Sequence, residues 1–282
     1  MVNLGTAGGD GEPGEGDIST SIENVTGGDA DDTITGNAKI NVLNGGAGGD
    51  TISGSSANDK LNGGLGNDTE VGGLGNDTFL QQSTDNGGDN MRGDAGTDIV
   101  KYDQRSANVT VTVNSIAGDG EAGENDNVCR DIEKVYGGSG ADNFTGDGGT
   151  EHFFGNGGND TFRGADGADR LWGGDGADNL FGQNGSDYIK GQAGNDDVEG
   201  GQGADRLYGD ADNDTIRGGS ENDRIFGGEG DDALHGEDGS DTIFGQDGAD
   251  TLTGGDGNDS LDGGDGPDNC NGNAGTNKQF SC

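Results

Sequence analysis

The sequence predicts an all-β solenoid assembled from tandem nine-residue repeats. From Gly137 the chain divides into fifteen consecutive nine-residue units without an insertion, up to Asn271. The sixth place of these units is Asp fourteen times and Glu once, and the eighth place is always apolar. A fixed short period is typical of a solenoid, in which each repeat packs only on its neighbours.

Within each unit, the residue types predict a turn followed by a short strand. Glycine at the first, second and fourth places permits tight turns with positive φ and leaves backbone carbonyls uncovered. Places seven to nine alternate polar, apolar and polar, which predicts a three-residue strand with one inward side chain. An earlier block of six such units begins at Gly27 and ends at Leu80.

The composition excludes several classes of protein. The chain has 66 Gly, and its 14 Lys+Arg against 55 Asp+Glu give a net charge of -41. Phosphate backbones would be repelled by this charge, so we expect no nucleic acid partner. Because no apolar run approaches 18 residues, we also expect no membrane-spanning helix.

The repeat pattern Gly-Gly-x-Gly-x-Asp-x-apolar-x resembles the RTX, or haemolysin-type, calcium-binding nonapeptide. More than twenty copies of it are present in the 282 residues. The resemblance implies a parallel β-roll in which two nonapeptides form one coil and calcium binds in the turns between neighbouring coils. The predicted fold is therefore a parallel β-roll of tandem repeats, with two rolls joined by a strand-containing insert.

Two units per coil would stack each sixth-place carboxylate over the one eighteen residues later, in two columns. Stacked carboxylates repel each other unless a cation lies between them, and Ca²⁺ prefers such oxygen ligands. The columns leave room for about 16 calcium ions. Sites that use Asn41 or Glu151 should be weaker or absent, and the inward Glu70 marks a weak point of the first roll. The predicted calcium ligands are Asp32, Asp50, Asp59, Asp68, Asp77, Asp142, Asp160, Asp169, Asp178, Asp187, Asp196, Asp205, Asp214, Asp223, Asp232, Asp241, Asp250, Asp259 and Asp268.

The non-repetitive segments predict a duplicated organisation. Ile132 and Val135 precede the second roll in the same order as Ile22 and Val25 precede the first. The predicted parts are a truncated copy of the insert at 1–26, a first calcium roll at 27–101, a strand-containing insert at 102–136, a second calcium roll at 137–271 and a cap at 272–282.

The cysteines and the expected calcium affinity indicate an oxidising setting. Cys270 and Cys282 bracket a degenerate final unit, which suggests a disulfide-closed cap, although a free buried Cys270 is the alternative. The first twenty residues contain no secretory signal. Turn sites of this kind are nevertheless expected to bind at extracellular calcium levels, so we expect a secreted or cell-surface bacterial protein.

Calcium-triggered folding and a scaffold role are the predicted function. Catalysis is not expected, because the chain has only two histidines, His152 and His235, and lacks the His-Glu-x-x-His and Gly-x-Ser-x-Gly motifs.

A second candidate function comes from the outward places of one sheet of the second roll, where aromatic residues are interleaved with cations. A binding face for a polysaccharide or another surface polymer, appended to an enzyme or adhesin, is the alternative function, and another domain of the parent protein is an alternative partner. The simpler interpretation is a well-stacked sheet exterior. The residues of this outer face are Phe154, Arg170, Trp172, Tyr188, Lys190, Arg206, Tyr208, Arg224, Phe226 and Phe244.

Overall fold

The computed structural model describes residues 2–3, 22–83 and 86–282, and the regular secondary structure in these ranges consists of β-strands. The chain forms two compact units, Met1–Gly138 and Ser139–Cys282. The predicted truncated copy at 1–26 falls mostly outside the described residues. Within them, the parallel pairing of successive coils confirms the predicted all-β solenoid.

The first unit contains strands β1 to β14. Strands β1, β3, β5, β7, β9 and β13 form one parallel sheet in this order, and β2, β4, β6, β8, β10 and β14 form a second. Strands β11 and β12 are an antiparallel pair in the insert. In chain order the fourteen strands are Val2–Asn3, Asn24–Thr26, Thr33–Thr35, Val42–Ala47, Thr51–Ser56, Lys60–Leu65, Thr69–Leu74, Thr78–Leu80, Asn90–Ala95, Ile99–Lys101, Val109–Thr112, Gly120–Glu121, Asn127–Val128 and Lys134–Tyr136.

The second unit contains strands β15 to β30, which alternate between two parallel sheets. The odd-numbered strands form one sheet and the even-numbered strands the other. The register is eighteen residues, as in the pairing of Phe153 with Leu171 and of Leu171 with Ile189. In chain order the sixteen strands are Asn143–Thr145, His152–Gly157, Thr161–Asp166, Arg170–Asp175, Asn179–Asn184, Tyr188–Ala193, Asp197–Gln202, Arg206–Ala211, Thr215–Ser220, Arg224–Glu229, Ala233–Asp238, Thr242–Asp247, Thr251–Asp256, Ser260–Asp265, Asn269–Asn273 and Lys278–Phe280.

The core of the second unit is a ladder of eighth-place side chains from both sheets. Leu171, Ile189 and Leu207 have no exposed surface, and Leu180 and Val198 on the opposite sheet are equally buried. Places seven and nine on either side face outward, because successive side chains of a strand point to opposite faces. Each coil therefore buries only two apolar side chains in the roll.

Glycine has two different roles in the turns. Gly176, at the fourth place of its unit, has a φ of 136°, which L side chains rarely adopt. Gly173, at the first place, is not in the left-handed region. A Cβ built on Gly173 would lie 2.0 Å from Asp178 Oδ2 and 2.7 Å from the carbonyl oxygen of Gly191. The first-place glycine is thus required by close approach, and not by the positive φ that the sequence pattern suggests.

The coil pattern extends further than the sequence repeat. In the first unit, strand β9 pairs with β7 at a spacing of 21 residues, Thr69 with Asn90, because the segment after Leu80 adds three residues. In the second unit, β30 pairs with β28 beyond Asn271, where the sequence analysis ends the repeat. Residues 272–280 therefore form one more nine-residue unit, with Asn277 at its sixth place.

Candidate metal centre

The sixth-place aspartates from Asp160 to Asp259 in the second unit are each fixed between two coils by their own backbone and side chain. The Asp178 side chain accepts a hydrogen bond at Oδ1 from the backbone N–H of Asp160 in the preceding coil, at 2.7 Å. The backbone N–H of Asp178 donates in turn to Oδ1 of Asp196, at 2.8 Å. The aspartates therefore form two continuous columns, one along each row of turns, as the eighteen-residue stacking predicts.

The second carboxylate oxygen in these columns has no hydrogen-bond partner. Seventeen of the nineteen predicted aspartates have an Oδ2 that is buried and unpartnered, all except Asp32 and Asp142. In Asp32, Oδ2 accepts a hydrogen bond from the backbone N–H of Gly28 at 2.7 Å. A buried anionic oxygen without a partner is costly, so the columns contain seventeen positions that favour a cation.

Burial raises the pKa of the column carboxyls from Glu151 to Asp250 in the second unit, and it is the largest of the effects on their pKa. The hydrogen bond from the preceding coil lowers the pKa, but it does not compensate for burial. The pKa rises to about 7 in Asp196 and Asp205 and to about 8 in Asp214 and Asp223. Neighbouring carboxylates of the same column, such as Asp196 and Asp232 around Asp214, raise the pKa further.

Backbone carbonyls converge on the unpartnered carboxylate oxygens. A Cβ built on Gly209 would lie 2.1 Å from Asp214 Oδ2 and 2.7 Å from the carbonyl oxygen of Gly227 in the next coil. Among the described residues, no three His, Cys, Asp or Glu side chains form a metal-binding cluster. Any cation in these turns would therefore be held by carboxylate oxygens together with backbone carbonyls, which is a donor set that suits Ca²⁺.

The two positions that depart from the motif keep an oxygen at the same point. A Cβ built on Gly36 would lie 2.4 Å from Asn41 Oδ1, and one built on Gly146 would lie 2.5 Å from Glu151 Oε2. Asn41 offers an uncharged oxygen, so a weaker site there stays a prediction. The longer Glu151 side chain presents a buried oxygen without a hydrogen-bond partner, as the aspartates do. A weaker site at Glu151 also stays a prediction.

Four carboxylates outside the predicted ligand set continue the columns of the first unit. The backbone N–H of Asp68 donates to Asp89, and that of Asp89 donates to Asp126. In the other column, the backbone N–H of Asp77 donates to Asp98, and that of Asp98 donates to Glu133. The return of the repeat after Gln81–Ser83 is the signal for Asp89 and Asp98. The last two come from the insert, where no repeat is visible.

Tyr102 of the insert and Asn86, which precedes the insert, satisfy carboxylate oxygens at the end of one column of the first unit. The hydroxyl of Tyr102 donates to Asp126 Oδ2 at 2.8 Å, and Asn86 Nδ2 donates to Asp89 Oδ2 at 2.9 Å. The fully buried Arg105 pairs with Glu124 at 2.6 Å. In contrast to the repeat turns, this column end is satisfied by the protein itself.

Glu70 lies at the inward place where other units have an apolar residue. It pairs in register with Ile52 and Met91 and has no exposed surface. Neither of its carboxylate oxygens has a hydrogen-bond partner. Burial, followed by the charges of Asp89 and Asp68, raises the pKa of Glu70 well above its ordinary value. A weak point of the first unit at this coil therefore stays a prediction, and burial of a carboxyl without a partner supports it.

In residues 272–280, the column that contains Asp259 ends at the side-chain amide of Asn277. Asn277 Oδ1 accepts a hydrogen bond from the backbone N–H of Asp259 at 2.7 Å, as the aspartates do in earlier coils. Its Nδ2 donates to the carbonyl oxygens of Gly272 and Ala274 at 2.5 and 3.2 Å. A neutral donor thus occupies the place that the unpartnered oxygen has in other turns.

Cys270 and Cys282 are joined by a disulfide, with Cα atoms 5.8 Å apart.

The outer face of the second unit is a stack of rings. The centroids of Phe154 and Trp172 are 4.4 Å apart and those of Tyr208 and Phe226 are 4.8 Å apart, with 5° between the planes in both pairs. Neighbouring rings therefore cover much of each other's faces, which favours the interpretation as a well-stacked sheet exterior. Exposed cations flank the stack, namely Arg170, Arg206 and Arg224.

The structure shows no helix in its described ranges with the length and apolarity needed to cross a membrane.

Comparisons with known proteins agree with the geometry of the turns. The family model described as RTX calcium-binding nonapeptide repeat (4 copies) matches residues 26–56, 44–79, 131–162, 154–189, 172–207, 181–216, 208–243 and 244–278, which together span more than half of the chain. A search of the curated proteins finds no match. The repeats of this family bind multiple calcium ions and form a structural fold. The chain therefore belongs to the family of RTX calcium-binding nonapeptide repeat proteins.

Proposed function

We propose that the protein is a calcium-triggered folding and scaffold module of a secreted bacterial protein. The observation that carries this proposal is the set of seventeen buried, unpartnered aspartate oxygens in the turns. When ionised, each of these oxygens is an uncompensated negative charge in the folded chain, and it would become a ligand once Ca²⁺ is bound. We propose the nineteen predicted aspartates as the calcium ligands. We also propose that the chain is organised as two calcium rolls, an insert and a cap.

In the proposed function, calcium binding controls the folding of the chain and takes part in no catalytic step. Because each sixth-place carboxylate bridges two coils, a bound cation would join those coils and make folding conditional on calcium. Such folding would occur where calcium is abundant, which supports a secreted or cell-surface location.

Calcium stoichiometry tests the proposal directly. We expect equilibrium dialysis of the full chain at millimolar calcium to give about 16 bound ions. Asp205→Asn should lower this number by at least one, because it removes the charge of a buried carboxylate whose Oδ2 lies near Gly200 and the carbonyl oxygen of Gly218. Asp262→Asn removes the same charge from an outward place and should leave the number unchanged. Fewer than about five ions, or equal losses in both variants, would contradict the proposal.

A second candidate function is the binding of a carboxylated polysaccharide by the outer face. Arg206 and Arg224 are both exposed and lie directly opposite each other on neighbouring strands. Like charges at such a pair destabilise a sheet. Since the chain has only 14 cations and a net charge of -41, an anionic partner on this face would offset a repulsion that the fold itself leaves in place.

Substitutions on the two sheets test the second candidate. Arg206→Gln with Arg224→Gln, and separately Trp172, Tyr208 and Phe226→Thr, should weaken binding to carboxylated polysaccharides on a glycan array by tenfold or more, which is about 1.4 kcal/mol. Arg163→Gln with Arg217→Gln removes two cations from the opposite sheet and serves as the control. If all three variants bind as the parent does, the face is a sheet exterior only.

A further inference from the structure

The last turn of the second unit receives its carbonyl from the residue next to the disulfide. A Cβ built on Gly263 would lie 2.4 Å from Asp268 Oδ2 and 2.4 Å from the carbonyl oxygen of Ser281. One coil earlier, a Cβ on Gly245 would lie 2.2 Å from Asp250 Oδ2 and 2.3 Å from the Gly263 carbonyl oxygen. Ser281 therefore supplies the oxygen that a first-place glycine supplies in the earlier turns.

The disulfide is the covalent contact that holds Ser281 over this turn. Strand β30 ends at Phe280, whose pairing with Asp262 is the last of the sheet. Ser281 and Cys282 follow it with exposed side chains, and Cys282 is bonded to Cys270 on strand β29. The residue that contributes the carbonyl is thus fixed between the end of a strand and a covalent bond.

We propose that the Cys270–Cys282 disulfide completes the last calcium site of the second unit, so that cysteine oxidation and calcium binding at Asp268 are linked. The inference rests on the proposed binding of calcium in the turns. Linkage is reciprocal: the disulfide raises the calcium affinity of this site, and calcium at this site makes the disulfide harder to reduce by the same factor.

Reduction by a dithiol opens the site in a balanced reaction. The dithiol gives two electrons and two protons to the disulfide, becomes a cyclic disulfide itself and leaves thiols on Cys270 and Cys282. Ser281 is then held only through the end of β30, and Asp268 loses the carbonyl that faces its unpartnered Oδ2. The sites in the earlier turns keep their glycine carbonyls.

A redox titration of the full chain tests the linkage. The fraction of protein with the disulfide is measured against reduced and oxidised dithiothreitol in saturating calcium for the parent, Asp268→Asn and Asp160→Asn. The Asn side chain at 268 can still accept the hydrogen bond from the Asp250 backbone N–H at Oδ1. We expect Asp268→Asn to be about tenfold easier to reduce, equivalent to about 30 mV. Asp160→Asn, in a distant turn of the same column, should match the parent.

The sign of the effect separates a cation site from a purely structural carboxylate. Without a cation, Asn would relieve an unpartnered half-buried charge, and the disulfide would become equally hard or harder to reduce. That outcome for Asp268→Asn would overturn the inference. If calcium orders the parent, but the disulfides of both Asn variants are as easy to reduce as that of the parent, this inference alone is wrong. If calcium does not order the parent, the proposed function fails first.

Hydrogen exchange gives a second measurement that does not depend on the Asn variants. In saturating calcium, Cys270→Ser with Cys282→Ser should increase amide exchange in residues 263–268 and leave the turn at residues 209–214 protected. Equal protection of both turns in this variant and in the parent would also overturn the inference, because β30 alone would then hold Ser281.

Discussion

Removal of calcium is expected to convert the protein from a β-solenoid into a largely unstructured chain. Each nine-residue unit buries one apolar side chain, and this burial is worth less than the entropy lost in ordering nine residues. Without a cation the folded state must also keep the unpartnered oxygens of the column aspartates away from water. Far-UV circular dichroism in excess chelator should therefore show a coil, and millimolar calcium should restore the β signal.

The transition should be cooperative and selective for calcium. A cation in one turn orders the two coils that it joins, and the next carboxylate of the column is then already placed by the hydrogen bond to the preceding backbone N–H. Magnesium should substitute poorly at the same concentration, because it demands near-octahedral geometry and keeps its waters. A β signal that excess chelator leaves unchanged would contradict the proposed mechanism.

The period of the sequence was sufficient to predict the architecture of the second unit. One Asp and one apolar residue at fixed places determine which residues face the turn and which face the core, so Asp178 and Leu171 lie where the pattern puts them. Glycine was predicted for the wrong reason at the first place. Gly173 is close to Asp178 and to the next coil, and this approach exists only when coils stack.

The ends of the columns could not be predicted from the period. Tyr102 reaches Asp126 across 24 residues of the sequence, and such a contact follows from how the insert folds rather than from any repeat. The place of Asn277 in the column could have been predicted from the sequence, since Gly272 and Gly275 occupy the first and fourth places of one more unit. The loss of Asp at the sixth place hid that unit, although the amide there makes the same hydrogen bond as the aspartates before it.

The hydrogen bonds of the columns and their calcium sites use different oxygens of the same carboxylate. Oδ1 accepts the backbone N–H of the preceding coil in either case, for example from Asp196 to Asp214 at 2.8 Å. Only Oδ2 depends on a cation. A proton on Oδ2 would remove the buried charge without disturbing the column, so acid should replace part of the effect of calcium.

Calcium-free protein is accordingly expected to regain β-structure as the pH falls from 8 to 5. In the folded state, burial raises the pKa of Asp160 and Asp214 from 3.8 to about 8 and that of Asp205 to about 7. Below about pH 4 these carboxyls are protonated in both the folded and the unfolded protein, so their burial carries no charge penalty. As the pH rises, the unfolded chain loses its protons first, so stability falls until the folded pKa is passed. Each unit of raised pKa costs about 1.4 kcal/mol per carboxyl above that point.

The measurement is circular dichroism on protein freed of calcium by a chelating resin, at pH 5 to 8 and therefore above the isoelectric point of about 4.1. Asp196→Asn with Asp214→Asn should flatten the pH dependence, since an amide has no proton to gain, whereas Asp262→Asn at an outward place should not. Calcium added near pH 7 should release protons into a weakly buffered solution, because the metal binds the deprotonated carboxylates. A β signal that grows toward pH 8 in calcium-free protein would show that the column carboxyls are not the groups that calcium neutralises.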